Sequence, residues 1–112
     1  MRLKSGIWVS AFLRRWQAQG YFGAVIRKGA EDAGAIYVIV NHLDGTFHFF
    51  GPAPGPAYDE EGERRWFEEL PFPAAQPDID RVLGKRAAAD PDIWIIEIED
   101  RHGTAGLVAE RD

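Results

Sequence analysis

The chain contains no cysteine. That excludes disulfides, thiolate-held zinc and a thiol nucleophile. It has three histidines and the isolated hydroxyls Ser5, Ser10, Thr46 and Thr104, with no Gly-x-Ser-x-Gly elbow, so nucleophilic catalysis has little to work with. Positive charge is also short. Thirteen Lys and Arg face eighteen Asp and Glu, a formal net charge of −5, which argues against nucleic acid or an anionic membrane surface as partner. No apolar run approaches membrane-spanning length. The charged start, Arg2-Leu3-Lys4, imitates a leader, but the apolar run over residues 7–13 carries Ser10 and ends in Arg14-Arg15 without a small-x-small cleavage site. The expected location is cytoplasmic.

What is present suits a folded α+β domain spanning residues 1–112. A hydrophobic fraction of 46% and four Trp with seven Phe supply one core for a chain of 112 residues. From Ser5, read as an N-cap, residues 7–19 wind into a helix with Trp8, Val9, Phe12, Leu13 and Trp16 on one arc and Gly20 as its stop. Arg15 lies at the edge of that arc, placed to pair with a carboxylate or to lie over an aromatic ring, and is a candidate binding residue.

A short strand over 24–28 and a turn over 29–34, with Gly29 and Gly34 able to take positive φ, lead into the strongest local signal. Two apolar runs, 35–42 and 46–50, flank Asp44-Gly45, the pattern of a two-residue hairpin turn. That turn pairs His42 with Phe47. One face then carries Ile36, Val38, Val40, His42, Phe47 and Phe49, and the other Tyr37, Ile39, Asn41, Leu43, Thr46, His48 and Phe50.

Residues 51–64 form an acidic loop punctuated by Pro52, Pro54 and Pro56, barred from a central strand by its prolines. Residues 65–70 return as an edge strand. If exposed there, Trp66 and Tyr58 are binding anchors, against the commoner reading that Trp66 is core. Asp78 caps a second helix running to about residue 89, with Ile79, Val82, Leu83 and Ala87 inward and Gly84 explained by close packing on the sheet. Pro91 ends it. Residues 92–100 are a strand with Trp94, Ile96 and Ile98 on one face and Ile93, Ile95, Glu97 and Glu99 on the other, followed by a tail over 104–112 expected to fray.

The acidic group Asp90, Asp92, Glu97, Glu99 and Asp100 offers the one enzymatic candidate. Asp92, Glu97 and Glu99 would serve a small metal-assisted hydrolase, but Glu97 and Glu99 sit about 7 Å apart on one strand face, and solvated strand ends explain the cluster more simply. The histidines suggest a metal until the two-residue turn puts His42 and His48 on opposite faces. No metal and no cofactor is expected.

The opening Arg2-Leu3-Lys4-Ser5-Gly6-Ile7-Trp8-Val9-Ser10-Ala11, the segment 29–36 and, most specifically, Asp90-Pro91-Asp92-Ile93-Trp94-Ile95-Ile96-Glu97-Ile98-Glu99-Asp100 resemble the bacterial domain of unknown function 1491 family. The likeness spans nearly the whole chain. It implies a bacterial cytosolic protein and transfers no catalytic residue. The sequence therefore predicts an antiparallel or mixed sheet of four or five strands with two helices on one face. The expected function is a non-catalytic binding or interaction module, its partner an unidentified protein or, through an uncovered second sheet face, a second copy.

Overall fold

Alternation of bulky apolar residues along two central strands decides the architecture. In a computed structural model describing residues 3–110, the order is α1 (Ser5–Gln17), β1 (Gly23–Arg27), β2 (Ile36–Asn41), β3 (Phe47–Pro52), β4 (Trp66–Glu68), α2 (Gln76–Ala89) and β5 (Trp94–Glu99). The five strands form one mixed sheet, β1-β5-β2-β3-β4, in which β2 and β5 run parallel and the other neighbours antiparallel. The α+β class with two helices and a mixed sheet is as the sequence predicts.

The helices do not share a face. Val9, Phe12 and Leu13 of α1 pack with Ile36, Val38, Val40, Ile96 and Ile98, whereas Ile79 and Leu83 of α2 pack with Tyr37, Ile39, Phe47, Phe49 and Ile95. Period-two alternation sends odd and even residues of β2 and β5 to opposite cores. The sheet face expected to lie open is therefore covered: Tyr37, Ile39, Ile93 and Ile95 are buried beneath α2, and Phe50, expected on that face, is buried on the α1 side instead. Self-association through that face has lost its basis.

The hairpin register also differs. Val40 pairs with His48 and Asn41 with Phe47, and His42 N–H donates to Thr46 O, so the loop holds three residues, Leu43, Asp44 and Gly45. Leu43 and Gly45 take positive φ, 63° and 88°. Side chains fix this loop locally: Asn41 Oδ1 accepts from Leu43 N–H, and Asp44 Oδ1 accepts from the N–H and hydroxyl of Thr46. These bonds satisfy loop donors that a two-residue turn would leave otherwise arranged. Pro52 enters β3 after all, as its last residue opposite Trp66, where a missing N–H matters least.

Other small residues act differently from their predicted roles. Ser5 lies inside α1; its hydroxyl donates to Gly34 O at 2.6 Å, while Ser5 and Gly6 N–H groups donate to Asp32 and Glu31 carbonyls. The turn over 29–34 thus supplies the acceptors that a side-chain cap would have provided. Gly29 and Gly34 owe their place to close approach rather than positive φ, since a Cβ on either would meet Asp92 O at 2.3 Å. Asp78 is in the first turn of α2, paired with Arg81, and the cap position is Ala75. Gly84 is exposed and nothing lies within 4 Å of the Cβ it lacks, so close packing does not explain it.

The end of the chain packs instead of fraying through the described residues. Ala105 and Leu107 are buried on the α1 side, and Glu110 N–H donates to Trp66 O. Beside it, Tyr58 and Arg64 bridge the acidic loop, and Asp59 Oδ1 accepts from the N–H groups of Glu61 and Glu63. Residues 58–66 and 105–110 consequently stand as two walls against α1.

Candidate functional site

Between those walls and α1 lies a groove of about 600 Å³. Its floor follows from the spacing of α1: Trp8, Phe12 and Trp16 recur at i, i+4 and i+8 and so form one row. Trp8 stacks on Phe12 with centroids 4.8 Å apart, Phe12 meets Trp16 edge-on at 6.4 Å, and Trp66 approaches Trp8 at 5.3 Å. Trp8 and Trp16 remain half-buried, so ring surface faces the groove.

Arginines edge this aromatic floor. Arg65 is committed to Glu110, with Nε and Nη2 donating to the two carboxylate oxygens at 2.6 and 2.7 Å. That fork holds the Glu110 carboxyl below its usual range and pushes the Arg65 guanidinium up. Arg15 lies over the Trp16 ring at 5.6 Å, the aromatic alternative anticipated for it. Arg64 is half-buried, with its guanidinium 5.7 Å from the Trp8 ring and 5.3 Å from the Tyr58 ring. Its Nη2 donates to Leu3 O at 3.1 Å and, more weakly, to Ser5 Oγ at 3.4 Å. Burial lowers its pKa. Among the described residues no carboxylate pairs with Arg64 or Arg15.

Of the three predicted binding residues, Arg15 and Trp66 line this groove, and Tyr58 lies behind Arg64 without lining it. Trp66 is only 6% exposed and belongs to the core on the α1 side. Tyr58 donates its hydroxyl to Leu3 O and forms part of the wall through Arg64. Sequence reasoning missed Arg64 because it sits in a loop and its neighbours come from residues 3–8, far away in the chain. An arginine pair next to a tryptophan, Arg64-Arg65-Trp66, was the available signal.

The acidic candidates do not assemble. Asp92 precedes β5 and Glu99 ends it, seven residues of extended chain or roughly 23 Å away. Glu97 accepts from Asn41 Nδ2 at 3.3 Å, and Asp100 accepts from the N–H groups of His102 and Ala105 as a turn cap. No group of three or more His, Cys, Asp or Glu among the described residues is placed to hold a metal ion.

His42 and His48 are not separated by the sheet. The three-residue loop shifts the pairing by one, which brings their rings to one side with centroids 5.1 Å apart. His48 Nδ1 bonds Glu68 Oε2 at 2.7 Å and its ring stacks on Phe72 at 4.1 Å. His42 Nδ1 faces Arg101 O at 3.2 Å, while its Nε2 is buried without a partner. The carbonyl only accepts, so Nδ1 carries a proton.

Comparison with known proteins gives a consistent picture. A family profile described as "Protein of unknown function (DUF1491)" matches residues 3–108. The chain is similar to a protein from A. tumefaciens known by solution structure, at 42% identity over 99% of this chain and 98% of that one, with a TM-score of 0.81. It is also similar to a DUF1491 family protein from Caulobacter crescentus CB15 in its crystal structure, at 39% identity over 96% and 94% of the two chains, with a TM-score of 0.77. No curated protein matches. No helix among the described residues is long and apolar enough to cross a membrane.

Proposed function

The chain belongs to the DUF1491 family, and on that footing we propose that it is a small non-catalytic binding protein whose ligand lies in the groove between α1, residues 58–66 and residues 105–110. One observation carries the reading. Arg15 and Arg64, two cations without a carboxylate partner among the described residues, edge a row of partly open aromatic rings. Tryptophan, tyrosine and arginine are the residues enriched where binding energy concentrates, since rings bury large apolar area and a guanidinium offers several donors in a planar fork. The few hydroxyls, Ser5, Ser10, Thr46 and Thr104, leave little material for a nucleophile, and of the carboxylates lining the groove Glu110 is held by Arg65 and Asp59 by the N–H groups of Glu61 and Glu63. We place the protein in the cytoplasm, which a cysteine-free composition suits.

The test is a thermal-shift panel of small acids, amines, sugars and peptides, run on the native chain and on Ala11→Trp. Ala11 lines the groove and is exposed, so the larger ring fills the space without entering the core. Ligands that stabilise the native chain should fail to stabilise Ala11→Trp and should be recovered unchanged by NMR. Stabilisation that persists in the filled variant, or steady conversion of the ligand, would refute the reading.

A further inference from the structure

We infer that the groove takes a small monocarboxylate with a flat apolar body, such as an aromatic acid. This rests on the groove being the ligand site. The rings of Trp8, Phe12, Trp16 and Trp66 line it, which suits a planar apolar group.

The charge pattern selects the anion. Arg64 Nη2 is used by Leu3 O and Ser5 Oγ, and Nε is buried without a partner, but Nη1 makes no hydrogen bond to a described residue and is not among the buried unpaired atoms. A guanidinium partly stripped of water keeps an unmet demand for an acceptor. A carboxylate oxygen at Nη1 meets it with a charge-assisted bond, stronger than one from a neutral carbonyl. Arg15, over Trp16, is the second cation on the same groove.

The rim limits how much negative charge is welcome. Asp59, Glu63 and Glu110 also line the groove, and Arg65 is neutralised by Glu110. Arg15 and Arg64 balance Asp59 and Glu63 in number, so the lining is close to neutral overall. A dianion such as phosphate gains attraction from the arginines and loses it to the two carboxylates, without ring contact in return. A single carboxylate on an apolar body pairs locally and gains the ring contacts as well. The rings supply affinity, and the arginines choose the acid over its neutral analogue.

The indole N–H signals provide the readout. Trp8, Trp16 and Trp66 line the groove, whereas Trp94 donates its indole N–H to Ala30 O outside it and serves as an internal control. Benzoate, benzyl alcohol and inorganic phosphate are titrated into the native chain, Arg64→Gln and Arg15→Gln. Benzoate should shift the groove indoles saturably, at least tenfold more tightly than benzyl alcohol, and leave Trp94 in place. Phosphate should not compete. Arg64→Gln should lose benzoate affinity at least fivefold while keeping benzyl alcohol binding. An unmoved Trp94 signal reports that a variant is folded, and if Arg64→Gln fails that check, Arg15→Gln decides with the same criterion. Equal affinity for benzoate and benzyl alcohol overturns the carboxylate inference and leaves the groove reading standing. Phosphate binding without benzoate binding also overturns it. Groove indoles that respond to none of the three probes overturn both.

Discussion

Two glycine-to-alanine substitutions should move stability in opposite directions, for reasons visible only in three dimensions. Gly84 lies mid-helix in α2, and a Cβ there meets nothing within 4 Å. Alanine removes the backbone freedom glycine keeps in the unfolded chain, and helix propensity favours it by about 1 kcal/mol. For a chain of this size that is roughly +4 °C in Tm. At Gly29 the same Cβ would come within 2.3 Å of Asp92 O and 2.6 Å of Ile93 C, both backbone atoms that cannot step aside. Forcing them apart strains the junction between the 29–34 turn and β5, where Ala30 N–H donates to Asp92 O at 2.9 Å. Overpacking of this kind costs about 1–3 kcal/mol. Urea unfolding of the three proteins at equal pH reads both effects. A Gly84→Ala protein no more stable than the native chain, or a neutral Gly29→Ala, would mean that the packing around α2 or the turn is wrongly described.

Ile79, wholly buried beneath α2, is what covers the second sheet face; Ile79→Ala should cost about 3 kcal/mol in denaturant unfolding, and a loss under 1 kcal/mol would show α2 docked elsewhere. With both faces covered, light scattering should return a mass near 12.6 kDa at micromolar concentration, and a dimer mass would point to an interface the fold does not display. Acid should destabilise the chain. Hydrogen bonds from Arg65 hold Glu110 below its ordinary 4.5, and those from Thr46 hold Asp44 below 3.8. Groups depressed in the fold add stability above their unfolded pKa and lose it as pH falls through the folded value. Melting temperature should thus be flat above about pH 5 and fall below about pH 4. Glu110→Gln should be destabilised at neutral pH and converge on the native chain as pH falls; a gap that stays constant with pH would contradict the pairing.

Much of the fold was legible because the elements are strongly marked: Pro91 and Asp90 close α2, and Asp44-Gly45 marks the hairpin. The face assignment was not. All of Ile36 to Val40 is buried, so β2 reads as apolar on both sides, and alternation cannot tell which side receives a helix. The same ambiguity let the register slip by one, since either pairing puts apolar side chains inward. Local polar bonds at Asn41 and Asp44, invisible to a hydrophobic pattern, decide it. The groove was half legible. Composition and position point to Arg15 and Trp66, but the groove they line depends on residues 105–110 returning to Trp66, a contact between segments with no shared sequence signal.

The central claim is that the groove holds a ligand through its rings and Arg64. A crystal of the protein soaked with benzoate tests it most directly. The account predicts density in the groove, with the ring against Trp8 or Trp16 and a carboxylate oxygen within about 3 Å of Arg64 Nη1. An empty groove, or benzoate bound at another surface with Arg64 untouched, would contradict it.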